Sequence, residues 1–279
     1  MTRDFAAIAA AALVAATAPA ADAQDVTVGV LGGITGPIAA LAPPIVDSAR
    51  LALDLVNAQG GLGDGGTISV VVGDSACSAQ GGGDSASKVV NVDGAAAIVG
   101  ALCSGATLAA ANTVTIPAGV LLISPASTSP AVTALEDGDT VFRTVPSDSY
   151  QGAALARTAL AEGYDSVAVT YLNNDYGVGL ANAFREEYEA QGGTMAAFEA
   201  HEENKASYRS ELAALSRSGA DTLVIFDYAD GSGLTILREA LENGFFARFI
   251  GGDGMRADNL ITELGAENLE TFVTSSPIG

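Results

Sequence analysis

The chain has no tryptophan, one histidine, two cysteines and only 12 lysines and arginines among its 279 residues. Each shortage excludes something. The 12 basic residues face 33 acidic ones, a formal net charge of −21. That excludes a nucleic-acid binder, because phosphate backbones are held by basic surfaces. It equally disfavours an anionic membrane surface. The acidic residues are scattered, which reads as a solvated acidic exterior. With aromatics at only 6 %, broad sugar-stacking platforms are not expected. The single histidine, His201, sits in the polar run Ala200-His201-Glu202-Glu203-Asn204-Lys205 and reads as solvated. One histidine makes no metal cluster. There is no G-x-S-x-G elbow, and the carboxylates show no catalytic spacing. Gly32-Gly33-Ile34-Thr35-Gly36-Pro37 lacks the glycine spacing of a nucleotide loop, and no G-x-x-x-x-G-K-[ST] occurs. It reads as a turn ahead of a ligand-facing loop, Ile38-Ala39-Ala40-Leu41. Neither an enzyme activity nor a cofactor or metal is expected.

What is present begins with an export signal. Arg3 precedes an apolar stretch over 5–18, followed by Ala21-Asp22-Ala23. This order fits a signal peptide over 1–23, cleaved near Ala23. The stretch is too short and too weakly hydrophobic for a membrane span. No cysteine at the cleavage site offers a lipid anchor. A periplasmic chain that is not membrane-anchored is expected. In such a compartment Cys77 and Cys103 point to a disulfide, with two buried free thiols as the alternative. The closed loop is worth roughly 3 kcal/mol on the chain-entropy model.

From Val26 on, short apolar runs alternate with helical periodicity. Strands are predicted at 26–31, 67–72, 95–99, 119–123 and 141–143, with helices over 43–57, 85–92 and 107–113. After the break Thr144-Val145-Pro146-Ser147 the alternation restarts. Helices are predicted over 151–161, 179–190, 208–216 and 234–243, with strands at 166–171, 195–200, 222–226, 248–250 and 271–274. Such alternation means parallel sheets flanked by helices. The expected fold is α/β, with two Rossmann-like lobes over 24–144 and 145–276.

Ligands in these folds bind beyond the C-terminal ends of strands. Ser104 follows the third strand, and Ser124-Pro125-Ala126-Ser127-Thr128-Ser129-Pro130 follows the fourth. Hydroxyls and free N–H groups on two neighbouring turns suit a carboxylate without an arginine. Helix capping is the other reading of Ser104, Ser127 and Thr128. Asp253, in Gly251-Gly252-Asp253-Gly254, suits an ammonium, or simply a turn. Tyr228 and Tyr150 are placed to close over a ligand.

Taken in order, these pieces resemble the periplasmic leucine/isoleucine/valine-binding proteins of ABC transporters. The resemblance covers nearly all of 26–279. It rests on Leu102-Cys103-Ser104 with Cys77, Ile123-Ser124-Pro125-Ala126-Ser127-Thr128, Phe142-Arg143-Thr144 and Gln151-Gly152. Further pieces are Asn174-Asp175-Tyr176-Gly177-Val178-Gly179-Leu180 and Ile250-Gly251-Gly252-Asp253-Gly254. It implies a type I periplasmic binding fold that captures an amino acid between two lobes and delivers it to a membrane permease. It implies that Ser104, the Ala126 backbone and Thr128, with Ser127 in the same turn, hold the α-carboxylate and part of the ammonium. Asp253 then pairs with the ammonium, Tyr228 closes from lobe two, and Tyr150 adds a contact. Leu41 stands where some members carry a tyrosine, and Asp253 is shorter than the glutamate of some, so the ligand side chain is left open. Members of the family continue beyond the point reached at Gly279. Lobe one is therefore expected to be incomplete, with exposed apolar surface, marginal stability and weakened binding. A ligand-sensing module of the same fold, for an amide or small carboxylate, is the alternative.

Overall fold

The computed structural model describes residues 24–63 and 65–276; the expected export signal lies outside them. Two five-stranded parallel sheets form the frame. The first contains β1 (Val26–Gly32), β2 (Ile68–Asp74), β3 (Ala95–Val99), β4 (Leu121–Ser124) and β5 (Val141–Arg143), in the order β2-β1-β3-β4-β5. The second contains β6 (Ser166–Leu172), β7 (Thr194–His201), β8 (Thr222–Phe226), β9 (Arg248–Gly251) and β10 (Phe272–Thr274), in the order β10-β9-β8-β6-β7. Strands buried on both faces read as continuous apolar runs. β8, Thr-Leu-Val-Ile-Phe, is buried at every position.

The helices of the first half are α1 (Ala42–Ala58), α2 (Ala79–Asn91), α3 (Ser104–Ala110), α4 (Ile116–Ala118) and α5 (Pro130–Thr133). A π-helical turn, Ala111–Thr115, joins α3 to α4. The second half has α6 (Asp148–Ala161), α7 (Asp175–Ala190), α8 (Arg209–Ser216), α9 (Ser232–Glu242) and α10 (Asp258–Leu264). The two-lobed α/β architecture is the one expected. None of the described helices is long and apolar enough to cross a membrane.

Among the helices that begin earlier than their periodicity suggests, α2 and α7 do so for the same reason. α2 starts at Ala79 because the Ser78 hydroxyl accepts the Gly81 N–H at 3.0 Å. α7 starts at Asp175 because the Asn174 side chain accepts the Gly177 N–H at 2.8 Å. Such caps satisfy otherwise orphaned N–H groups and outweigh glycine's poor helix propensity. Gly82 also lets α2 approach α3: a Cβ there would stand 2.3 Å from the Ala106 carbonyl oxygen.

One apolar cluster contains Leu31, Ile98 and Leu122 of the first half with Val167, Leu180, Phe184 and Phe226 of the second. Another, around Tyr208, Leu212, Ile236, Phe249 and Met255, covers the other face of the second sheet. Leu51, Leu55 and Val56 of α1 stand exposed.

Candidate functional site

The site begins with two turns beyond the C-terminal ends of β2 and β4. After β2, Cys77 bonds to Cys103, with the Cα atoms 5.3 Å apart. This fastens the 75–78 turn to the start of α3, settling the cysteine alternatives in favour of the disulfide. Ala76 and Cys77 hold φ of 48° and 53°, a region side chains rarely adopt. Asp74 Oδ1 supports the turn by accepting the N–H groups of Ala76 and Ile34, both at 2.9 Å. After β4, the Ser124 hydroxyl donates to the Ala101 carbonyl at 2.6 Å and accepts the Ser127 N–H at 2.9 Å. Arg143 Nη1 donates to the carbonyls of Thr128 and Ser129 at 2.9 and 2.7 Å. The Thr128 carbonyl also accepts the Asp148 N–H at 2.8 Å.

These turns set one wall of a cavity of about 110 Å³ between the lobes. Ser104, Ala126 and Thr128 line it from the first lobe, with the aliphatic side chains of Ile38, Leu41, Ile45 and Leu102. Tyr176, Tyr228 and Asp253 line it from the second. Asp253 Oδ1 accepts the Tyr176 hydroxyl at 2.8 Å and the Gln151 amide at 2.9 Å. The rings of Tyr176 and Tyr228 stack at 4.9 Å. Burial, then the Asp253 charge, pushes both phenols well above their ordinary pKa, so both remain neutral hydroxyls.

Five of the seven expected ligand residues therefore share one pocket: Ser104, Ala126, Thr128, Tyr228 and Asp253. Ser127 does not line it. Its hydroxyl is 2.7 Å from Thr107 Oγ1, where it braces the turn against α3. Tyr150 is 75 % exposed and borders a separate open groove with Arg143 and Pro146.

A family model for periplasmic binding proteins matches residues 25–278. This chain belongs to the periplasmic binding protein family. It is 30 % identical over 257 residues to a leucine-, isoleucine-, valine-, threonine- and alanine-binding protein of Pseudomonas aeruginosa, covering 91 % of this chain and 67 % of that one. Its structure resembles that of the branched-chain amino acid transporter substrate-binding protein LivJ of Streptococcus pneumoniae in complex with isoleucine. The TM-score is 0.76 at 28 % identity, over 89 % of this chain and 70 % of that chain. An ABC-transporter solute-binding protein of R. palustris in complex with 4-hydroxybenzoate shares the fold. There the TM-score is 0.74 at 18 % identity, over 88 % of this chain and 66 % of that chain. Family membership bears out the reading of the chain as a binding protein rather than an enzyme.

Three residues of this binding protein's site region carry no site role on sequence alone, although Gln151 and Tyr176 stand in motifs behind the resemblance. Tyr176 is hidden because Gly177 and Gly179 mask the start of α7; the Asn174 cap was the available signal. Gln151 lies one helical turn beyond Asp148 on α6. Asp148 itself is wholly buried, and neither carboxylate oxygen has a hydrogen-bond partner of acceptable geometry among the described residues. Burial, then the Asp253 charge, pushes its pKa up to about 8, against a partial pull downward from the Thr128 hydroxyl and the Arg143 guanidinium. No signal in the sequence marks that burial. His201 corrects the sequence reading: it is 3 % exposed rather than solvated. β7 extends to His201, and its ring lies between Thr170 of β6 and Asp227 beyond β8.

Proposed function

We propose that this protein is an extracytoplasmic solute-binding protein that captures a free α-amino acid between its lobes for an ABC-transporter permease. The charge layout of the pocket carries the reading. Asp253 lines it, and Asp148 lies near enough for the two charges to act on each other. No lysine or arginine is among the lining residues. A ligand ammonium therefore meets Asp253 with no basic side chain lining the pocket beside it, while Ser104, the Ala126 amide and Thr128 stand on the wall that takes its carboxylate. The aliphatic wall suits a short apolar side chain, and the small volume fits a ligand well below drug size.

In this reading Asp253 pairs with the ammonium, Tyr176 holds Asp253 in place, and Tyr228 closes over the ligand. Lobe one supplies the carboxylate partners and lobe two the ammonium partner, so a bound zwitterion favours the closed form. The amino acids for which the P. aeruginosa relative is named, and the isoleucine bound by the S. pneumoniae protein, support this class. Residues 1–23 act as the export signal, and the periplasm is the compartment.

The test is a thermal-shift screen of the mature chain, followed by calorimetry. The solutes are L-leucine, L-isoleucine, L-valine, L-threonine, L-alanine, acetamide and 4-hydroxybenzoate. Binding of one or more amino acids without binding of the last two is expected. Binding of acetamide or 4-hydroxybenzoate alone overturns the proposal in favour of an amide or carboxylate ligand.

A further inference from the structure

The second lobe buries a polar cluster that ligand capture, as described so far, does not use. His201 closes β7, and Asp227 follows β8 with no exposed surface. His201 Nε2 lies 2.8 Å from Asp227 Oδ2, and Nδ1 lies 2.7 Å from the Thr170 hydroxyl. Asp227 Oδ2 also accepts the Ser232 hydroxyl at 2.6 Å, and Oδ1 accepts the Tyr228 N–H at 2.6 Å. One carboxylate thus ties both ends of the 227–232 loop to the sheet. Glu203 lies alongside with its Oε1 buried and unpartnered. A Cβ on Gly231 would stand 3.3 Å from that oxygen.

The loop held in this way touches two functional parts. Tyr228 lines the pocket. Asp230 crosses to lobe one: its Oδ2 accepts the Ala40 N–H at 3.1 Å, while Asn259 donates to its Oδ1 at 2.6 Å. Beside it, a Cβ on Gly231 would stand 2.9 Å from Pro37 Cβ. Pro37 and Ala40 belong to the same lobe-one loop as Ile38 and Leu41, which line the pocket. The buried cluster is therefore linked through one short loop to both walls of the cleft.

We propose that His201 and Asp227 are positioning residues for ligand capture. They fix the 227–232 loop in the form that seats Tyr228 at the pocket and lets Asp230 latch lobe one at Ala40. A well-packed apolar pair often serves stability as well as a buried ionic one. What the His201–Asp227 pair adds is direction, since its acceptor oxygens fix the Tyr228 N–H and the Ser232 hydroxyl. The inference goes beyond the amino-acid reading and does not depend on which solute is bound.

The test compares His201→Ala, His201→Gln, Asp230→Ala and the double variant His201→Ala/Asp230→Ala. Glutamine keeps an N–H donor for Asp227 and an acceptor for Thr170; alanine keeps neither. Two quantities are read well below each variant's melting temperature: exchange of the Ala40 amide, with and without L-isoleucine, and the Kd for L-isoleucine. His201→Ala should speed Ala40 exchange and weaken binding about ten-fold. His201→Gln should stay within about two-fold of the parent. Adding His201→Ala to Asp230→Ala should weaken binding by clearly less than the product of the two single effects, because the Asp230 latch is one of the two contacts the loop supplies. The proposal is overturned if His201→Ala lowers only the melting temperature, or if its effect multiplies with that of Asp230→Ala. If His201→Ala does not fold, Ser232→Ala replaces it, freeing one end of the loop while leaving the histidine paired. If the parent binds no amino acid, the amino-acid reading fails, and the exchange measured without solute still decides the latch.

Discussion

Raising the pH from 6 to 8 should tighten amino-acid binding by up to about 50-fold, as the ionised fraction of Asp148 grows from about 1 % to about half. The perturbed group is the Asp148 carboxyl, in the first turn of α6. That position favours an anion by only about 0.3–1 kcal/mol. Burial and Asp253 outweigh it and push the pKa from 3.8 up to about 8. In the folded, ligand-free protein this acid holds its proton to higher pH than in the unfolded chain. Its contribution is therefore least unfavourable at low pH, and stability is lost as pH rises from about 4 to about 8. The full shift corresponds to on the order of 5 kcal/mol, an upper limit for so buried a group.

An ammonium at Asp253 reverses the balance by supplying the missing positive charge, so binding selects ionised Asp148. Calorimetry at pH 6, 7 and 8, in two buffers of different ionisation enthalpy, should show tighter binding with rising pH. Near pH 6.5 it should show close to one proton released per ligand. Asp148→Asn should bind with the same affinity throughout, weaker than the parent at pH 8, while raising the melting temperature of the ligand-free protein there. Equal parent affinities at pH 6 and 8, with no proton release, would refute the reasoning.

Replacing Asp253 by asparagine should weaken amino-acid binding by roughly 10- to 150-fold, the loss of a charged hydrogen bond worth about 1.5–3 kcal/mol; an unchanged Kd by calorimetry would remove Asp253 as the ammonium partner. Reducing the Cys77–Cys103 bond, which closes 26 residues, should lower the melting temperature by about 6–12 °C, from roughly 3 kcal/mol at 2–4 °C per kcal/mol. Calorimetric scans with and without reductant check this. Gly179→Ala tests closure, since its Cβ would stand 2.9 Å from Pro130 Cδ and 3.0 Å from Ser129 Oγ across the cleft. Alanine improves α7 by about 0.5–1 kcal/mol, so the ligand-free melt should hold or rise while amino-acid affinity falls about ten-fold. Weakened binding together with a lower ligand-free melt would point to damage within the lobe.

The parallel sheets were legible because their strands are locally consistent: a run such as Thr222–Phe226 is apolar throughout. The lobe-one half of the pocket was legible for a related reason, since β3 and β4, consecutive in the chain, also pair and set their hydroxyl-bearing turns side by side. What failed depended on packing at a distance. Tyr150 was expected at the ligand because it is a tyrosine near the lobe boundary. On α6 it lies two residues past Asp148, nearly opposite on the helix, whereas Gln151, three residues on, shares the Asp148 face. The polar neighbours of His201 suggest solvent, but its two ring partners come from β6 and from the segment after β8, which local sequence does not bring together. Asp148 reads as an ordinary first-turn acid. Only the closure of lobe two against the Thr128 turn strips it of water.

The same closure explains how the proposed site separates its ligands. A closed and empty cleft leaves two carboxylates sharing a dry space, and the protein relieves this by holding a proton on Asp148. That proton neutralises charge but brings no carboxylate to the hydroxyl wall of Ser104 and Thr128. A benzoate reaches the hydroxyl wall but brings a second negative charge toward Asp253. An amide engages the wall weakly and leaves the anionic end as it was. Only a zwitterion displaces the proton with its ammonium while its carboxylate engages the opposite lobe. Selection by charge then precedes selection by side chain, and the aliphatic wall of Ile38, Leu41, Ile45 and Leu102 discriminates only among molecules that have already met the first condition.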